Sequence, residues 1–300
     1  MKVKLVDSKT GSNIISEKDE YICNFSKFDL QSRLGTTEEV SKQDLVKFLS
    51  QQTLDWTQNE KDRIERICEE IEDVYLKYIN LLPEEILFIK TTGLDEGNAA
   101  YTRKNCIYIP ISMIIWPYNE LKELIAHELF HIVSTQNPEF RNDLYIKLGF
   151  TPCSELKIPE NYKQLYVTNP DTINKNCYME FQDSNGTHKA TPFLYSEQQY
   201  RGGYFFRYFR FTFLMIQLKD NISLPIFENG HPKFINAPKS LYDLCEEIDP
   251  YNNQHRLHPE EILAYYWSLL AIPESELEYE KRNFLLKIRN YLNNNKNKIF

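Results

Sequence analysis

"LIAHELFHIVS", residues 124–134, sets two histidines four apart, His127 and His131, with Glu128 beside the first. On an α-helix, positions i and i+4 project from one face about one turn apart. Two imidazoles so placed can hold a single Zn2+, each at roughly 2.0–2.1 Å. Glu128 is displaced around the helix from both. It is too far round to be a natural third ligand, yet close enough to reach a water on the metal. Zinc lowers the pKa of that water toward ~7, and a carboxylate can take its proton as the oxygen attacks a carbonyl. The bland alternative is an ordinary packed helix with three polar residues on its edge. Its flanks weigh against that. Leu121, Leu124, Ile125, Leu129 and Ile132 surround the three polar groups, and buried polar groups need partners. The stretch predicts a helix carrying a hydrolytic zinc centre.

Working outward, "ILFIKTT" (86–92) is a short β-favouring run and predicts a strand. "NAAYTRKNCIYIPIS" (98–112) alternates around a polar turn at 103–105 and predicts a hairpin. Upstream, Ser41 with Asp44 and Thr57 with Glu60 form helix-start signals. The second precedes Ile64, Ile67, Ile71 and Val74 at helical spacing. Residues 1–50 otherwise give a weak signal and are expected to form an appendage to one domain over 51–300. Downstream, a helix is expected over 139–148, ending at Gly149. A β-rich insert is expected over about 151–250, loop-rich with short strands to residue 200. Within it, 202–218 predicts one long strand or two, with the aromatic run 204–213 read as core rather than pocket. A turn is expected at Asn229-Gly230. Pro259 opens a helix to about 271, and a last helix follows over about 274–293. Strands come first and helices later, which predicts an α+β fold with a mixed sheet over the motif helix and a helical C-terminal part.

A net charge of −8 over 300 residues argues against a nucleic-acid partner, whose groove needs a basic surface. No apolar run approaches membrane-span length. The start, "MKVKLVDSKTGS", lacks the apolar core of a signal peptide. The expectation is a cytoplasmic protein, or one exported without a cleavable Sec signal, as a secreted effector is. The cysteines at 23, 68, 106, 153, 177 and 245 form no CxxC pair and are expected as reduced thiols, not zinc ligands.

A catalytic zinc needs a third protein ligand and an open position. The metzincin pattern HExxHxxGxxH is excluded, because Ser134 and Asn137 stand at its Gly and third His positions. The remaining signal is "RLHPEEILAYYWS", residues 256–268. Pro259 suits a helix start, and Glu260 and Glu261 suit its first turn for reasons of dipole and capping alone. Beside a two-histidine site lacking a third ligand, Glu261 becomes the candidate.

HExxH on one helix with a glutamate from a later helix resembles the gluzincin branch of zinc metallopeptidases, the thermolysin-like architecture. "HPEEILA" after a long insert resembles a group of bacterial gluzincin-like proteins of poorly defined function, with a looser match at "NPD" (169–171). The resemblance implies a zincin-like fold, Zn2+ as cofactor, and His127, His131 and Glu261 as its ligands. It implies that Glu128 is the general base. Two features depart from the pattern. The position four after the ligand glutamate, commonly an acid that supports a zinc-bound histidine, is Tyr265. And 130 positions separate His131 from Glu261, far more than in thermolysin.

Peptide hydrolysis develops an oxyanion that a Tyr, His or Arg opposite the metal helps to hold. His255 and His258 are the candidates, followed by Tyr251 and Arg256. The resemblance favours the neighbourhood of His255, while His258 can equally be a helix cap. It also implies that the hairpin near "AAYTRKNCIYIP" offers an edge strand to extended peptide. The expected function is hydrolysis of peptide or protein substrates. Endopeptidase action is favoured because no acidic exopeptidase motif such as GxMEN is present. A zinc-stabilised interaction module and a zinc hydrolase of non-peptide amides or esters are the alternatives.

Overall fold

The computed structural model describes residues 1–183, 186–237, 241 and 257–294. Where a capping residue precedes an amphipathic run, a helix follows. Ser41 and Asp44 close a reciprocal capping box ahead of Lys42–Leu49. Thr57 and Glu60 do the same for Gln58–Val74, which buries Ile64, Ile67, Cys68 and Ile71. Strand Glu85–Thr91 lies at the centre of a five-stranded mixed sheet. Lys2–Leu5 and Cys106–Pro110 flank it, both parallel to it. Tyr101–Arg103 closes the sheet as an antiparallel edge strand, with Thr102 opposite Ile107.

The sheet is covered on both faces, as the period-2 alternation of its strands requires. Ile86, Phe88, Ile107 and Ile109 face one way, into the main core with Leu121, Ile125, Leu129 and Ile132 of the motif helix Tyr118–Gln136. Ile89, Tyr101, Cys106 and Tyr108 face the other way and meet Ile15, Tyr21, Ile22, Leu45 and Leu49. The first fifty residues, expected as an appendage, therefore supply both a strand of the sheet and the layer over its second face.

Arg33 ties that layer to the rest. Its guanidinium is buried between Asp29 at 2.9 Å and Glu96 at 2.6 Å, and it donates to the Thr168 carbonyl at 3.1 Å. Removing one partner of a buried ionic network leaves the others uncompensated. Arg33→Met is expected to cost about 3–5 kcal/mol of stability, read as a lowered midpoint in urea with an unchanged slope. Parent-like stability would mean that the network contributes nothing.

The insert forms a seven-stranded sheet around Cys177–Asp183, Gly186–Ser196 and Phe209–Lys219, with the middle strand antiparallel to both neighbours. Its first two long strands, of 7 and 11 residues, lie where the sequence suggested loops with only short strands. Glu180 and Gln182 face solvent on the strand whose Cys177 and Met179 are buried, and these polar positions mask the strand. Phe205–Tyr208 forms a short 3-10 turn, so a single strand begins only at Phe209. Asn229 and Gly230 both take positive φ in the turn joining Phe227–Glu228 to His231–Pro232, as the Asn-Gly pair predicts. Helix Pro259–Leu270 packs along the motif helix, with the Trp267 ring centroid 5.6 Å from that of Phe130. Tyr279–Asn294 follows, burying Phe284 and Leu285. The architecture is α+β with mixed sheets. Among the described residues no helix is long and apolar enough to cross a membrane, and the five cysteines are free.

Candidate metal centre

The apolar stripe of the motif helix fixes its rotation and sends His127, Glu128 and His131 toward the edge strand and helix Pro259–Leu270. That second helix starts sharply. Pro259 takes the first position, and His258 caps it by accepting the Glu260 amide proton on Nδ1 at 3.2 Å. Its first turn presents two adjacent carboxylates in different directions. Glu261 Oε2 lies 3.4 Å from His127 Nε2 and 4.0 Å from His131 Nε2. The potential ligand atoms of His127, His131 and Glu261 all lie within 4.8 Å of one another. The three residues named as ligands from the sequence thus converge.

Glu260 takes a different task. Its Oε1 sits 2.9 Å from His131 Nδ1 and accepts from Lys175 Nζ at 2.6 Å and from Ser134 Oγ. Its Oε2 accepts from the Tyr145 hydroxyl at 2.6 Å. Glu260 is fully buried, which by itself favours the neutral acid. Lys175 and His131 outweigh that cost and hold it well below the usual carboxylate range. The contact makes His131 Nδ1 the donor, so that the neutral form of the ring would carry its lone pair on Nε2. That Nε2 is buried and has no hydrogen-bond partner among the described residues.

Glu128 is buried, and Thr102 Oγ1 donates to its Oε2 at 2.8 Å. Burial pushes its carboxyl up to about 7, against the pull of His131 and the Thr102 bond. Asp171, in the turn Pro170–Thr172, accepts the Thr102 amide on Oδ1 at 2.9 Å. It is pushed up to about 8 by burial, with His131 opposing. Burial would lower His131, but Asp171, Glu260 and Glu261 outweigh it and raise the imidazole to about 10. Glu261 is held at about 2, since His127 and His131 overcome its burial. Four carboxyl groups thus crowd one imidazole. Lys175 and a proton on that ring offset part of their charge, and a divalent cation at the same place would offset more.

His258 is neutral, pushed down to about 4 by burial. It fills the capping role, and its Nε2 lies 4.0 Å from Cys177 Sγ on the wall of a cavity. With Nδ1 accepting, the ring proton resides on Nε2. His255, Tyr251 and Arg256 lie outside the described residues. Tyr265 packs against Phe284 at 5.2 Å between ring centroids, and the acid on His131 Nδ1 is Glu260.

A cavity of about 290 Å³ opens beside His127 and Glu261. Ala99 and Ala100 bound it on one side and Phe206, Phe209 and Phe211 on another. The aromatic run 204–213 was expected as core. Phe205, Tyr208, Phe209 and Phe213 are buried as core, and Phe206, Phe209 and Phe211 also line this cavity, because the insert folds back over His127 and Glu261.

Sequence reasoning missed Glu260, Lys175, Tyr145, Ser134 and Thr102, and it took Asp171 only as part of a loose match. The doubled glutamate was the one available signal. Adjacent helical residues point about 100° apart, so one can face a metal and the other the back of its ligand. Comparison with known families, with characterised proteins and with solved structures gives no match.

Proposed function

We propose that this chain is a zinc-dependent peptidase with a zincin-like arrangement of gluzincin type, acting on peptide or protein substrates. The observation that carries this reading is His131 Nε2: buried, with no hydrogen-bond partner among the described residues, on a ring whose Nδ1 meets Glu260, and 4.0 Å from Glu261 Oε2. Leaving a buried polar atom unsatisfied costs ~1–3 kcal/mol, and a cation among two imidazole nitrogens and a carboxylate removes that cost. Two nitrogens, one oxygen and an open cavity side fit a catalytic rather than a structural zinc. A zinc held by His127, His131 and Glu261 would supply a coordinated water of pKa near ~7 and Lewis acidity toward a carbonyl.

The chain's own residues do the rest. Glu260 fixes the ring of His131 by its Nδ1 contact. Thr102 Oγ1 holds Glu128 Oε2 in place. Glu128 takes a proton from the attacking water and passes it to the leaving nitrogen. The Nε2 proton of neutral His258, now directed at Cys177 Sγ at 4.0 Å, would have to turn to a carbonyl oxygen in the cavity to stabilise it. A scaffold would have no use for Glu128, whose burial is costly, and this favours an enzyme over an interaction module.

The test is metal content and stability together. The parent chain is expected to bind one Zn2+, and at a hundredfold excess over Kd the metal should add about 2.7 kcal/mol of stability. His131→Ala and Glu261→Ala should abolish that gain, and a chelator should stop hydrolysis of denatured casein. Retention of tight zinc binding by both variants would place the metal elsewhere and sink the proposal.

A further inference from the structure

The turn Asn169–Thr172 crosses the cleft and is fastened at both ends. Asp171 Oδ1 accepts the Thr102 amide of the edge strand at 2.9 Å. Asn169 Nδ2 donates to Glu261 Oε1 at 3.3 Å, and Asn169 Oδ1 accepts the Asp171 amide at 3.0 Å. Pro170 and Asp171 separate the 290 Å³ cavity from a second one of about 390 Å³ beyond Thr102. Outward-facing groups of an edge strand recur every second residue. The outward amide at Thr102 is already taken, so an added peptide strand can pair past Ala100 and no further.

We infer that this chain removes residues from the amino terminus of peptides, with Asp171 receiving the substrate's free α-amine. The inference rests on the peptidase reading above. A peptide laid on Ala99–Ala100 must end at Asp171, with one terminus or the other. An acidic side chain there pairs with an ammonium and not with a terminal carboxylate. Of the basic groups lining the cavity beyond the turn, three are paired with carboxylates, while Arg141 lies over the Tyr145 ring and donates to Asn142 Oδ1. Arg103 binds Asp19 at 2.8 Å, Lys104 binds Glu17 at 2.7 Å, and Lys175 binds Glu260 at 2.6 Å.

With the amine at Asp171, whose carboxyl oxygen lies within 4.8 Å of those of Glu128 and the ring nitrogen of His131, the first peptide bond is the one within reach. Water oxygen adds to the first residue's carbonyl carbon, and the C–N bond breaks. One water proton passes through Glu128 to the departing nitrogen. The products are a free amino acid and a peptide one residue shorter. The second residue's side chain then lies toward Phe206, Phe209 and Phe211, which favours a large apolar residue there. The acid comes from the insert, so the absence of an exopeptidase motif on the strand does not speak for endopeptidase action.

The test uses the zinc-loaded full chain and two peptides of one sequence, Leu-Phe-Ala-Ala-Gly amide, with the amine free or acetylated. Mass spectrometry should show stepwise loss of leucine from the free peptide and at least about 100-fold slower cleavage of the acetylated one. Asp171→Asn keeps an acceptor for Thr102 and removes the charge. It should raise KM for the free peptide roughly 10–100-fold, as expected for loss of a charge pair, with a smaller change in kcat. Equal cleavage of both peptides, cuts inside them, or an unchanged KM in the variant would overturn the inference and leave the peptidase reading standing. No cleavage of either peptide, or of casein, would overturn both.

Discussion

Glu128→Gln is expected to bind zinc as the parent does and to hydrolyse peptides at least ~10²–10⁴-fold more slowly. The substitution keeps the length and shape of the side chain. Thr102 Oγ1 can still donate to the amide oxygen in place of the carboxylate oxygen it now meets at 2.8 Å. The variant lacks a group that can accept a proton from water and return it to nitrogen. None of the proposed ligand atoms belongs to Glu128, so elemental analysis should give the parent zinc content. Thermal stability should hold or rise, because a buried carboxyl raised to about 7 by its surroundings gives way to a neutral group. Steady-state kinetics with metal analysis on one preparation decide the matter. Substantial turnover by a zinc-loaded variant would remove Glu128 from the mechanism.

The second large effect belongs to Glu260. Its carboxylate receives Lys175, Ser134 and Tyr145 and contacts His131 Nδ1, all within the interior. Glu260→Ala strands a buried ammonium beside an unsupported imidazole. The expected cost is about 3–5 kcal/mol in the metal-free protein. Loss of such an outer partner also weakens metal binding by roughly 10–100-fold. Pairing it with Lys175→Met should restore much of the stability, since the stranded charge is gone, but not the zinc affinity, since His131 still lacks its partner. Denaturant titrations with and without zinc separate the two effects. If Glu260→Ala kept parent zinc affinity, the alignment of His131 would not depend on this carboxylate.

The same residues show where the sequence is silent. Glu260 and Glu261 look alike at a helix N-terminus, and both satisfy the dipole. Only the packing of Pro259–Leu270 along the motif helix separates them, sending one to the imidazole Nδ1 and the other to Nε2. Lys175 carries no local mark at all. It lies in a run of Asn, Thr and Lys that reads as loop, and it becomes a buried counter-ion because the insert closes over Glu260. Asp171 was visible only within "NPD", and its contact with Thr102 joins residues 69 apart. The first helices were weak as sequence because their apolar residues cover a sheet face whose existence only the fold reveals.

What the sequence determined by itself is the short-range part. The helical repeat set His127, Glu128 and His131 on adjoining faces. Reciprocal caps at Ser41 and Thr57 started helices, Asn229-Gly230 turned a hairpin, and Ser134 and Asn137 ruled out one class of metal site. Each depends on side chains and backbone within four residues of one another. The tertiary structure decided the rest: which glutamate meets which nitrogen, which cation sits behind it, and which acid blocks the edge strand. Those pairings join groups from tens to more than a hundred residues apart. Their energies arise from burial and mutual charge, which exist only once the chain has packed.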